Sequence, residues 1–103
     1  MTTADIPIAI DRERIARFCI ERGIRTLSLF GSVLRDDFRP HQSNLDVLAE
    51  FDPGALRGVG LSYFGFADEL GAILGHRVDF CSQLHPALRA RVRQDAVKLY
   101  ERT

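Results

Sequence analysis

Helical and strand patterns alternate along the 103 residues, which predicts an α/β domain in the order α-β-α-β-α-β-α. Three short apolar runs, each closed by glycine or turn residues, supply the strands. The segments between them carry apolar residues at three-to-four-residue spacing. With 46% apolar and 27% charged residues the composition supports one compact core and lies far from the disordered regime. A single domain over residues 1–103 is expected.

Residues 11–22 form the first helix, because Ile15, Phe18, Cys19 and Arg22 fall at i, i+3, i+4 and i+7. Asp11 is placed as its N-cap and Gly23 as its stop. Residues 24–30 follow as a strand containing Ile24, Leu27, Leu29 and Phe30, and Gly31 turns the chain into a short helix over 32–37. Pro40 and its polar neighbours make a loop. Residues 45–51 form the second strand, ended by Asp52-Pro53-Gly54. A helix over 61–74 carries Tyr63, Phe66, Ala67, Leu70 and Leu74 on one stripe, capped by Gly75. Residues 76–81 alternate and form a third strand, with Val78 and Phe80 opposite Asp79. Pro86 opens a final helix whose buried stripe is Leu88, Val92, Ala96 and Leu99 or Tyr100.

Fourteen Lys plus Arg balance fourteen Asp plus Glu, so no global field draws the chain to nucleic acid or an anionic membrane. Direct nucleic-acid binding is disfavoured, and the cations of the last helix, Arg89, Arg91, Arg93 and Lys98, are read as a solvated face. Every apolar run is interrupted well before the roughly 20 residues that span a bilayer. The first ten residues contain Asp5 and no basic segment, which predicts a cytoplasmic chain. Cys19 and Cys81 are then small buried thiols, with no CxxC or histidine cluster to suggest zinc.

Chemistry concentrates at two places. Gly31-Ser32 stands where a strand meets a helix, a junction whose free N–H groups suit phosphate oxygens. Ser32 adds a hydroxyl and Arg35, one turn on, a charged fork. In the next strand, alternation puts Asn44, Asp46 and Leu48 on one face and Leu45, Val47 and Ala49 on the other. Asp46 and Asp79 are each carboxylates inside apolar strands, a costly placement without a partner. If the two strands are neighbours, both carboxylates reach one divalent cation. Alternatively they are structural, paired with Arg77 or Arg35.

Gly31-Ser32, eleven further residues, Asn44-Leu45-Asp46 and a later strand Asp79 together resemble the minimal nucleotidyltransferases of the DNA polymerase β superfamily. The resemblance runs from Leu27 through Leu84-His85-Pro86-Ala87-Leu88-Arg89. It implies a small mixed sheet with flanking helices, Mg²⁺, and ATP as the donor of a transferred nucleoside monophosphate. It assigns Gly31, Ser32 and Arg35 to the nucleoside triphosphate and positions 44, 46 and 79 to catalysis and metal. In prokaryotes such short domains are commonly antitoxins, and the activity the resemblance then implies is adenylylation of a tyrosine of a HEPN-type ribonuclease toxin. Asn44 departs from the family pattern, which has Asp there, and an amide removes one unit of negative charge from a two-metal centre. The chain is therefore expected to be weakly active or inactive. Two other readings are an antitoxin that neutralises its toxin by binding alone, and a transferase acting on RNA ends.

Overall fold

The computed structural model describes residues 10–31, 44–83 and 86–102. Helix α1 (Arg12–Arg22) packs on a four-stranded sheet of β1 (Ile24–Phe30), β2 (Leu45–Phe51), β3 (Val78–Cys81) and β4 (Val97–Glu101). A 3-10 segment (Gly60–Gly65) leads into α2 (Phe66–Leu74), and α3 (Pro86–Asp95) joins β3 to β4. The strand order is β3-β2-β1-β4. β1 runs antiparallel to both neighbours while β2 and β3 are parallel, so the sheet is mixed.

Local chemistry accounts for the boundaries. The Asp11 carboxylate accepts from the Arg14 N–H at 3.1 Å, and Gly23, at φ 70°, closes α1 by donating back to Cys19 and Ile20. Ile15, Phe18 and Cys19 are buried, as their spacing requires. Arg22, the fourth member of that stripe, lies over the Phe18 ring at 4.2 Å and bonds Glu69 of α2 at 2.6 Å. The stripe thus ends in a cation that ties two helices together. Gly75, at φ 73°, terminates α2 as expected. Glycine is required at Gly71 on separate grounds: an added Cβ would stand 2.7 Å from the His76 carbonyl, which the turn brings against α2.

Leu27, Leu29, Leu45, Val47 and Ala49 from the central strands meet Leu70 and Leu74 of α2 in one core. Burial of each large aliphatic side chain contributes about 1.5–3 kcal/mol. Phe51, Tyr63, Phe66 and Phe80 form a ring cluster at the C-terminal ends of β2 and β3, with centroids 5.6–6.5 Å apart. Phe64 points away and is 74% exposed. Both cysteines are free, and burial pushes the Cys19 thiol up to about 12.

The end of the chain departs from the sequence reading. Its final helix stops at Asp95, Ala96 follows it, and the rest of the expected stripe, Leu99 and Tyr100, lies in β4 against the far edge of β1. The β signal is there to be read: Val97 and Leu99 are buried while Lys98 and Glu101 are not. Leu99 is an extra residue in the ladder, since Tyr100 pairs with Leu27 and Lys98 with Ser28. That bulge breaks the simple alternation and leaves a spacing that also fits a helix. Pairing with β1 satisfies a row of backbone groups that a longer helix would leave at an open edge. Lys98 accordingly belongs to a strand, ion-paired with Glu101, and not to a basic helix face. The 61–74 helix also divides, into the 3-10 segment and α2. The short helix expected over 32–37, with Ser32, Arg35 and the 39–43 loop, lies outside the described residues.

Candidate functional site

The antiparallel register of β1 and β2 ends on the pair Phe30↔Asp46. The next residue of β1's chain, Gly31, adopts φ 77° and lies directly against the Asp46 carboxylate. A Cβ at position 31 would fall 2.2 Å from Asp46 Oδ2, so this approach is open to glycine alone. On its other side, the parallel register sets Asp46 opposite Asp79 of β3. Strands in a sheet are about 4.8 Å apart, so the two carboxylates occupy adjacent positions on one face. Like charges placed this way oppose folding and favour a cation between them.

Asn44 precedes β2 and turns its amide toward β3. Its Nδ2 donates to both Asp79 oxygens at 3.4 Å, long and shared contacts that orient the carboxylate without neutralising it. Cys81, two residues beyond Asp79, reports the same field. Its thiol is pushed up first by burial and then by the charges of Asp46 and Asp79. The sequence predicts a buried thiol at this position, and the structure leaves it half-buried.

Gly31, Asn44, Asp46 and Asp79 are thus brought to one end of the sheet, in the lateral order β1, β2, β3. Ser32 and Arg35 lie outside the described residues. Arg77, the alternative partner for the strand carboxylates, is exposed and forms no ion pair with either of them among the described residues. Glu50 shares the β2 face but pairs with Thr26 toward the opposite end of the strand.

The donor set fits a hard divalent cation. Asp46 and Asp79 offer carboxylate oxygens, and Asn44 can offer an amide oxygen if its side chain turns over. Among the described residues no group of three or more His, Cys, Asp or Glu is placed to hold a metal. Among the described residues the centre has two carboxylates, Asp46 and Asp79, where a bridged pair of ions would use three. A groove of about 670 Å³ opens beside it, lined by residues including Asn44, Asp79, Ala67, Asp68, Gly71 and Arg77. No signal in α2 marked Asp68 and Gly71 as lining residues, and Ala67, which periodicity puts on the buried stripe, is half-buried and lines the groove. Arg77 was detectable, because i and i+2 share a strand face with Asp79.

Comparison with known proteins agrees with this geometry. Residues 12–100 match the model of the nucleotidyltransferase domain. A solved structure described as a minimal nucleotidyltransferase is 36% identical, with 82% of this chain and 85% of that chain covered and a TM-score of 0.65. A crystal structure of a toxin-antitoxin with AMP-PNP aligns over 91% of this chain and 76% of that one at 16% identity and a TM-score of 0.65. A mutant of the toxin-antitoxin MntA-HpeT aligns over 91% and 75% at 17% identity and a TM-score of 0.62. These last two are similar in fold. No curated relative matches the chain. The glycine turn against Asp46, the facing Asp79 and the domain match over residues 12–100 have one common explanation: the chain belongs to the nucleotidyltransferase domain family.

Proposed function

We propose that this protein is a cytoplasmic antitoxin of the minimal nucleotidyltransferase type, which uses ATP and Mg²⁺ to transfer AMP to a tyrosine of a HEPN ribonuclease toxin. The observation that carries the reading is the placement of Asp46 between Gly31 and Asp79. Similarity in fold to toxin-antitoxin structures, one of them with AMP-PNP, supports the partner and the donor. The lack of any described helix long and apolar enough to cross a membrane is compatible with the location.

In this reading Gly31 lets the backbone approach the triphosphate, and Ser32 and Arg35 bind its oxygens. Asp46 and Asp79 would hold Mg²⁺, which when bound offsets charge on the phosphates. The acceptor oxygen forms a bond to the α-phosphorus. The bond from that phosphorus to the β-phosphate bridging oxygen breaks, and pyrophosphate leaves with the electron pair. In the same reading Asp79 takes the hydroxyl proton.

Asn44 weakens this device in two ways. It lacks the third negative charge, and its N–H group is turned toward the Asp79 oxygens that would otherwise face a cation. The same contact favours the second reading, an antitoxin that acts by occlusion. The test combines the native chain or Asn44→Asp with Mg²⁺, ATP and a HEPN-type ribonuclease partner, followed by intact mass. We expect one or more AMP additions to the partner, at least about 100-fold faster with Asn44→Asp. A tight complex with no adduct from either form establishes occlusion instead. Label passing from ATP to RNA ends and not to protein would establish the RNA-modifying alternative.

A further inference from the structure

A second cavity, of about 330 Å³, is lined by residues including Thr26, Ser28, Leu48, Glu50 and Ala96. Strand alternation puts the first four on the sheet face that carries Asp46, opposite the core formed by Leu27, Leu29, Leu45 and Val47. The register stacks this face in rows: Phe30 with Asp46, then Ser28 with Leu48, then Thr26 with Glu50. At about 3.3 Å per residue the second row lies about 7 Å from Asp46 and the third about 13 Å. A nucleotide whose α-phosphate sits at Asp46 reaches the second row with its ribose and the third with its base.

Ser28 is the anomaly in this cavity. Among the described residues it is the one buried polar side chain, 8% exposed, and its hydroxyl forms no hydrogen bond. Buried hydroxyls are nearly always paired, so one left unpaired against a cavity marks a group that arrives from outside. Leu48 and Ala96 supply apolar surface for a ring. Glu50 and Glu101 outnumber Lys98 around the cavity, and Lys98 pairs with Glu101. That excess of negative charge repels phosphate groups and admits the uncharged part of a nucleotide.

We infer that this cavity seats the nucleoside of the donor and that Ser28 hydrogen-bonds a ribose hydroxyl, so that the chain selects ribonucleotides over deoxyribonucleotides. The inference rests on the transferase reading given above and adds to it the residue that reads the sugar. A serine hydroxyl both donates and accepts, which suits a sugar hydroxyl of the same kind. A site built to bond a substrate hydroxyl rejects the analogue that lacks it, because its own polar group then stays buried and unpaired.

The test is calorimetry on the full chain in Mg²⁺, with ATP, 2′-deoxy-ATP, 3′-deoxy-ATP and inorganic triphosphate as probes of the native chain and of Ser28→Ala. In the native chain, loss of one of the two ribose hydroxyls should weaken binding about tenfold. In Ser28→Ala, ATP should weaken by about the same factor and the three nucleotides should bind alike. Inorganic triphosphate, which does not reach the cavity, should bind both chains equally. Thermal denaturation checks the variant's fold, since removing an unpaired hydroxyl should move Tm by less than about 2 °C. Equal binding of all three nucleotides by the native chain overturns the ribose contact, and so does a preference for ATP that survives in Ser28→Ala. Both results leave the transferase reading standing. Absence of ATP binding overturns that reading, and the nucleoside seat falls with it.

Discussion

The two ends of β2 hold aspartates in opposite circumstances. At its C-terminal end, Asp52 receives both guanidinium nitrogens of Arg102, lies 3.6 Å from Arg25 Nε, and donates its own N–H to the Gly23 carbonyl at 2.8 Å. Arg102 also donates its backbone N–H to the Arg25 carbonyl, so the end of β4 is fastened to the start of β1. That carboxylate is matched in charge by the fold itself. At the N-terminal end, Asp46 faces Asp79, and the group that Asn44 turns toward Asp79 is a neutral amide. Among the described residues Asp79 has no arginine clamp of the kind that holds Asp52. The difference teaches that charge balance, more than the presence of aspartate in a strand, separates a structural carboxylate from one kept for a ligand.

The sharpest way to break the ligand end is Gly31→Ala. The substitution forces a side chain into φ 77° and puts its Cβ 2.2 Å from Asp46 Oδ2. Left-handed backbone alone costs roughly 1–2 kcal/mol, and the collision adds to it. For a domain of this size Tm should fall by about 10 °C or more in thermal denaturation, and calorimetry should find no ATP binding. A fall below about 3 °C with ATP binding intact would show that the turn and Asp46 are not locked together.

A smaller effect, opposite in sign according to the medium, is expected from Asn44→Asp. Adding a third carboxylate beside Asp46 and Asp79 should lower Tm by about 3 °C in chelator. With Mg²⁺ at about ten times its Kd, the variant should recover that loss and rise some 5 °C beyond it. A Tm indifferent to Mg²⁺ in both forms would place the site with the structural end.

How far these circumstances could be read from sequence depended on range. Asp11, Gly23 and Gly75 cap helices through contacts three to five residues away, and their roles were legible. So was the sharing of one face by Asn44 and Asp46, which is a property of strand period alone. The adjacency of Asp46 and Asp79 was available only as a condition, because strand order is set by how α2, which links β2 to β3, packs on β3 and the core. β4 was misassigned because the bulge at Leu99 spoils its alternation, and what decides the matter is the vacant edge of β1, more than sixty residues earlier in the chain. The Asp52 clamp was invisible for the same reason: its Arg102 partner is fifty residues distant and arrives only once β4 has formed. Cys81 likewise acquires its two charged neighbours only from the finished register.

The smallest of the three effects belongs to the clamp, and its value lies in its control of the comparison. Asp52→Ala removes a carboxylate whose arginine partners are about half exposed, and exposed ion pairs contribute little because water screens them. The two guanidinium groups then lie near each other without the anion between them, which adds some repulsion. Tm should drop by about 1–2 °C, with the size of the drop reduced in high salt. Because this aspartate has no ligand to await, the drop should be identical in chelator and in Mg²⁺, and ATP affinity should be unchanged. Thermal denaturation of this variant across both media therefore tests the distinction itself. If the loss at Asp52 were as dependent on Mg²⁺ as the change at Asn44, the cation would be acting on the whole sheet through general screening, and the division into a balanced end and a ligand end would fail.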